Sequence, residues 1–153
     1  MSNPIITPVT GREEPIDPSV PAGALAEFYR AFNRRDLALM ARNWDSSDEV
    51  SMDNPLGGIR RGWSEVRQVY ERIFAGRAVV AVEFYDYTIH RFSDVFYAVG
   101  RERGSLEADG VSLDLKIRTS RLFRLVDGRW RQIHHHGSIE DAELLARYQA
   151  AVR

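Results

Sequence analysis

Three two-residue linkers, Ser93-Asp94, Asp109-Gly110 and Asp127-Gly128, divide the second half of the chain into strand-like runs. The runs are Val79–Phe92, Val95–Ala108, Val111–Val126 and 129–136, rich in β-branched and aromatic residues. Asp-Gly between two such runs is a strong hairpin signal, because both turn residues take positive φ and these two types do so at low cost. The chain is thereby committed to an antiparallel meander of long strands. A two-residue hairpin also fixes register, so facing residues can be written down.

Counting back from Asp127-Gly128 sets Val126 opposite Arg129, Arg121 opposite His134 and Thr119 opposite His136. Across Asp109-Gly110, Ala98 faces Arg121, Gly100 faces Thr119 and Glu102 faces Ile117. Across Ser93-Asp94, Ile89 faces Ala98, Tyr87 faces Gly100 and Tyr85 faces Glu102. Facing residues share one side of a sheet. This side also carries Leu113, Leu115 and Ile117, which makes it the core side. In its middle sit Arg121, His134, His136 and Thr119, bordered by Tyr85, Tyr87 and Glu102, with empty volume beside Ala98 and Gly100. One extra residue in any strand would reverse the side of everything beyond it.

A guanidinium and two imidazoles on a core-facing surface cost several kcal/mol unless they find partners or water. A concave apolar pocket with a few convergent polar groups is the default ligand site. Arg121 has two readings: an ion pair with Glu102 or Asp53, or a clamp for an oxyanion of a ligand. His134 and His136 are either hydrogen-bonded structural rings or an acid/base pair. With a carboxylate from Glu102 or Asp53 they could chelate a metal, but an adjacent arginine repels a cation, so no metal is assigned. No phosphate-binding glycine motif and no nucleophile elbow occurs, and no cofactor is expected.

The first half reads as helices. Leu25, Phe28, Tyr29 and Phe32 form one apolar stripe, with Tyr29 bordering the predicted cavity. Asp36 caps a second helix carrying Leu37, Met40, Ala41 and Trp44. A short strand at 50–53 and a turn at 54–58 precede a third helix, Trp63–Ala75, which Gly76 stops. Ser138-Ile-Glu-Asp141 reads as a capping box opening a last helix with Leu144, Leu145, Tyr148 and Val152. Helices followed by a meander predict an α+β domain, a cone-shaped curved antiparallel sheet wrapped around the N-terminal helices. Residues 1–21 hold five of the six prolines and form a proline-rich extended arm, solvated or draped over a neighbouring subunit; residues 22–153 are the domain proper.

A net charge of -1 argues against nucleic-acid or anionic-membrane binding. No apolar run reaches the ~18 residues of a membrane span and no signal-peptide core opens the chain, which points to a cytoplasmic protein. Cysteine is absent, which excludes disulfides and thiol nucleophiles, and Lys116 is the sole lysine. On the opposite sheet face, Tyr97, Val99, Leu122 and Ile133 form an apolar patch beside Arg124, Arg131 and His135, the pattern of a homodimer interface.

Two motifs resemble a known superfamily. Asn33-Arg-Arg-Asp36-Leu, then Val50-Ser-Met-Asp-Asn-Pro55-Leu-Gly57 and Gly62 opening a helix, are similar to the ketosteroid isomerase and SnoaL-like polyketide cyclase branches of the nuclear transport factor 2-like (cystatin-like) superfamily. Arg121, Asp127-Gly128-Arg-Trp130, His134, His136 and Ser138 are similar to the association domain of calcium/calmodulin-dependent kinase II and its bacterial SnoaL-like relatives. The resemblance covers about residues 23–152 and implies the α+β cone. The isomerase's general-base aspartate falls on Asn54 and its oxyanion tyrosine on Phe28, which counts against steroid isomerase chemistry. In the association domain, the residues matching Arg121, His134 and His136 line a deep pocket without catalysis.

Fold alone does not choose an activity. The expectation is a cavity protein for a small organic molecule, acidic or carbonyl-bearing. As an enzyme it would be a cofactor-free isomerase, dehydratase or cyclase. His134 or His136 would be the base and Arg121 the oxyanion stabiliser, with Tyr29, Asp53, Tyr85, Tyr87, Glu102 and Thr119 as binding residues. The alternative is a non-catalytic oligomerisation or ligand-sensing domain.

Overall fold

The computed structural model describes residues 3–152. Helices α1 (Pro21–Asn33) and α2 (Leu37–Asn43) come first. Short strands β1 (Ser51–Asp53) and β2 (Arg60–Arg61) lead into α3 (Trp63–Ala75). The meander β3 (Val79–Phe92), β4 (Val95–Ala108), β5 (Val111–Val126) and β6 (Arg129–Ser138) follows, and α4 (Ala142–Ala151) ends the domain. The six strands form one sheet in the order β2-β1-β6-β5-β4-β3, with β1 parallel to β6 and every other pair antiparallel. The expected α+β class and curved antiparallel sheet are what the chain forms.

Local chemistry explains the boundaries. Pro21 sits at the first position of α1, where a missing N–H costs nothing. The Asp36 side chain accepts from Leu39 N at 2.9 Å and caps α2. Asp109 and Asp127 take φ of 47° and 51°, with Gly110 and Gly128 at 78° and 75°, the two positive values that a tight hairpin needs. The cap of α4 departs from expectation. Asp141 fills it, accepting from Leu144 N at 2.8 Å, while Ser138 is the last residue of β6.

The proline-rich arm lies against its own domain, with many of its side chains still exposed. Ile5 exchanges backbone hydrogen bonds with Tyr87, and Val9 with Phe84, so the arm covers the free edge of β3. Further along, Pro18 O accepts from Trp130 N at 3.0 Å. Val9 is buried there, and Arg30 of α1 donates to Gly11 O and Glu13 O, which ties the arm to the first helix.

Two strands carry one extra residue, and both change which side chains face the core. In β3 the register slips between Tyr85 and Thr88, where Asp86 takes a φ of 51°. A Cβ at Gly100, on the facing strand, would lie 2.5 Å from Tyr87 Cβ, so only glycine lets the bulge close on β4. In β6 the extra residue is Ile133, between Gln132 opposite Phe123 and His134 opposite Leu122. The core fills the concave side with Leu25, Phe28, Trp44, Phe84, Phe96, Phe123 and Trp130, none more than 2% exposed.

Candidate functional site

The β6 bulge decides the site. Arg121 faces His135, not His134; Ser120 faces His136. His135 therefore joins Arg121 beneath the helices, and His134 and His136 project from the outer face. This corrects the alternation count made from the hairpin alone. On the outer face, Ser51 Oγ lies 2.8 Å from His134 Nδ1, and Asp53 Oδ2 lies 2.6 Å from His136 Nδ1. Asp53 is thus an outer-face residue held between two imidazoles, on the strand that runs parallel to β6.

Arg121 is 2% exposed and each of its three nitrogens has a partner. Nη2 donates to Glu102 Oε1 at 2.9 Å, Nη1 to Gln132 Oε1 at 2.8 Å, and Nε to Tyr29 Oη at 3.3 Å. Its Cζ lies 3.6 Å from the centroid of the Phe28 ring. Tyr29 Oη donates to the same Glu102 oxygen at 3.0 Å. Of the two sequence readings, the ion pair with Glu102 is the one found. Burial works against the guanidinium charge, but Tyr29 and Glu102 outweigh it and raise its pKa. Burial also drives the Tyr29 phenol well above its usual range. From Gln132 the network continues through Asn43 to Glu27, which pairs with Arg129 at the surface.

His135 is 7% exposed and held neutral. Burial lowers its pKa well below the ordinary imidazole value, and the Arg121 charge adds to the effect. Its Nδ1 faces the Ser120 carbonyl at 3.4 Å, which places the proton of the neutral ring on Nδ1 and leaves Nε2 as an acceptor. A Cβ on Gly137 would lie 3.2 Å from that Nε2, so the missing side chain gives the ring its room.

His135, Arg121 and Glu102 border an inner cavity of about 50 Å³, closed by Phe28, Tyr70 and Tyr148. That volume holds a few waters and no organic ligand. The expected open space beside Arg121 is therefore mostly filled by the Phe28 ring and the Tyr29–Glu102 pair. Next to it, towards the mouth, lies a cavity of about 470 Å³ between α3, the β1–β2 loop and α4. Met52, Asn54, Ile73 and Tyr148 line both, so the two chambers adjoin, one behind the other. Burial pushes the Tyr70 phenol up to about 12, and burial with Glu102 raises that of Tyr148 further. Both phenols are protonated donors at neutral pH.

The remaining predicted residues scatter. Glu102 and Tyr29 belong to the buried network. Thr119 is buried on the expected side, with its hydroxyl unpartnered, but lines neither chamber. Tyr87 is buried and stacks on Phe84 at 4.9 Å, away from both chambers. Tyr85 faces Arg101 instead of Glu102, because of the β3 bulge, and the Arg103 guanidinium sits 4.0 Å over its ring. Sequence reasoning missed His135, Tyr70 and Tyr148. Tyr148 stood among the apolar residues of the last helix, Tyr70 lay within the third helix with nothing to single it out, and nothing in the β6 sequence marks Ile133 as a bulge.

Among the described residues, no group of three or more histidines and carboxylates is arranged to hold a metal ion, and no helix is long and apolar enough to cross a membrane.

Solved structures share this architecture. A candidate dehydratase of the NTF2-like family from Streptomyces avermitilis superposes with a TM-score of 0.70 at 22% identity, over 78% of this chain and 92% of that one. A candidate calcium/calmodulin-dependent protein kinase type II association domain from Thiobacillus denitrificans superposes with a TM-score of 0.66 at 26% identity, over 84% of this chain and all of that one. A curated relative, the F-box protein SKIP8 of Arabidopsis thaliana, is 26% identical over 140 residues; the match takes in 88% of this chain and 56% of that protein. The fold is that of the NTF2-like structures, and residues 22–142 match the SnoaL-like domain model, so the chain belongs to the SnoaL-like family.

Proposed function

We propose that the protein binds a small organic molecule in the two-chambered recess. The body of the ligand occupies the outer chamber and its leading group points to His135, Tyr70 and Tyr148. The observation that carries this reading is the outer chamber itself: about 470 Å³, within the usual range of ligand pockets, and mostly apolar between α3 and α4. The test is a fragment set observed by protein NMR, with Ala151→Trp as a variant that plugs the mouth. Fragment-induced shifts at Val69, Ile73 and Tyr148 that vanish in the plugged variant support the reading. Shifts confined to the outer sheet face overturn it.

A catalytic reading has one specific support. A neutral imidazole with a free Nε2 beside two protonated phenols is a base next to two donors, the equipment for isomerisation, dehydration or cyclisation of a carbonyl compound. In this reading only the reacting group of a substrate seated in the outer chamber reaches inward, His135 takes its proton and a phenol steadies the oxyanion, while Arg121, ion-paired with Glu102, holds the wall. A non-catalytic ligand-sensing or oligomerisation role is the alternative, and it keeps the same cavity. Either role is compatible with a homodimer formed through Tyr97, Val99, Leu122 and Ile133.

A further inference from the structure

The recess changes polarity along its length. At the inner end the single cation, Arg121, is neutralised by Glu102, and its other two nitrogens donate to Gln132 and Tyr29. An anion arriving there would have to displace a buried carboxylate at 2.9 Å. The middle is apolar, with Met52, Val69, Ile73, Val80 and Val152. The outer wall carries Arg60, Arg72 and Arg77 against one acid, Asp109. Arg77 meets Asp109 at 3.9 Å, whereas Arg60 and Arg72 form no ion pair among the described residues. Low-dielectric walls focus the field of such groups into the recess they border.

We infer that the ligand is an amphipathic anion which enters apolar end first and leaves its carboxylate or comparable oxyanion at the rim, on Arg60 and Arg72. This assigns anion recognition to the rim guanidiniums in place of Arg121. It rests on the binding reading above and adds the class of ligand and its direction. Arginine suits the task because its planar fork grips a carboxylate with two parallel hydrogen bonds. The two residues come from β2 and the last turn of α3 and both line the outer chamber, so a head group held by either stays at the rim while the tail is buried.

Decanoate and decan-1-ol are the probes, since they share the apolar chain and differ in the charge of the head. Binding is measured by NMR titration at low and high salt, on the wild type and on the Arg60→Gln/Arg72→Gln variant. Both substitutions lie at the rim, outside the core. Decanoate is expected to bind about tenfold or more tightly than the alcohol, a difference of roughly 1.4 kcal/mol. That preference shrinks in high salt and disappears in the double variant, while the affinity for the alcohol stays unchanged. Equal affinity of the wild type for both probes overturns the inference and leaves the cavity reading standing. Binding of neither probe, with fragments still shifting the cavity residues, overturns it as well. A preference for decanoate that survives in the double variant but is lost in Arg121→Met moves the anion to the inner end and refutes the assignment.

Discussion

Arg121 and Tyr29 meet on one oxygen of Glu102. Arg121 Nη2 donates to Oε1 at 2.9 Å and Tyr29 Oη donates to it at 3.0 Å, all three side chains nearly sealed from solvent. Removing Glu102 alone leaves a buried guanidinium without its counter-charge. Glu102→Ala is expected to cost about 3–5 kcal/mol, a large share of the roughly 5–15 kcal/mol that holds a domain of this kind together. A double variant, Glu102→Leu with Arg121→Met, removes both charges and is expected to recover most of the loss. Urea unfolding of the two singles and the double closes the cycle. A double variant as unstable as the sum of its singles would show that the pair does not act as a unit.

Tyr29→Phe tests the neutral arm of the same network. The ring stays in place against Phe84, 5.7 Å away, while Glu102 Oε1 loses a donor and Arg121 Nε loses its acceptor. The expected loss is about 1–3 kcal/mol. It should fall well below that of Glu102→Ala, because no charge is left unpaired; the urea midpoint measures it.

His135 gives stability a pH dependence of known sign. The unfolded chain titrates this group near 6.5, and the fold holds its pKa well below that value. Above pH 6.5 both states carry the neutral ring and the group is silent. Below it the unfolded chain takes up a proton that the folded protein refuses, so stability falls as pH falls, by up to about 1.4 kcal/mol per pH unit until the folded pKa is reached. His135→Gln should flatten this component. The measurement is the difference in urea midpoint between pH 7.5 and 5.5, wild type against variant. An equal difference in both would place the acid sensitivity elsewhere.

The sequence carried the fold and half of the site, and the division has a physical cause. Hairpin turns and helix caps are local. Asp109-Gly110 and Asp127-Gly128 take positive φ wherever they stand, and Asp36 caps the helix beside it. The pairs Ala98–Arg121 and Glu102–Ile117 sit on strands joined by an uninterrupted ladder, so counting from the turn finds them. The histidines failed because Ile133 is an extra residue with no special backbone chemistry, tolerated by tertiary packing. The β3 bulge did leave a trace: an aspartate inside a strand, and a glycine facing it on the next. The arm's docking on β3 follows from an open sheet edge, which composition alone does not show.

That trace can be tested directly. Gly100→Ala places a methyl 2.5 Å from Tyr87 Cβ and 3.0 Å from the tip of the Phe84 ring, so the bulge must open or β4 must move. The expected loss is about 1–3 kcal/mol, the usual cost of overpacking. It should be accompanied by faster amide exchange at Tyr87 and Ile5, whose backbone groups pair across the docked arm. Unchanged exchange at both amides would show that the bulge and the arm are independent.

The outer sheet face supplies the last prediction. Val99 is 43% exposed, and Tyr97 and Leu122 are facing partners on adjacent strands beside it. His90, Tyr97 and Phe92 stack in a row at 4.5 and 6.2 Å, leaving Phe92 62% exposed. An apolar patch on one sheet face can pair with a second copy of itself about a twofold axis, and Arg124 and Arg131 would form the polar rim. Light scattering on the wild type is expected to give a dimer. Val99→Asp with Leu122→Asp would bury four aspartates in the twofold interface, and the same measurement should then give a monomer with unchanged far-ultraviolet circular dichroism. A wild type that stays monomeric at high concentration would leave this face as a free surface and remove the homodimer.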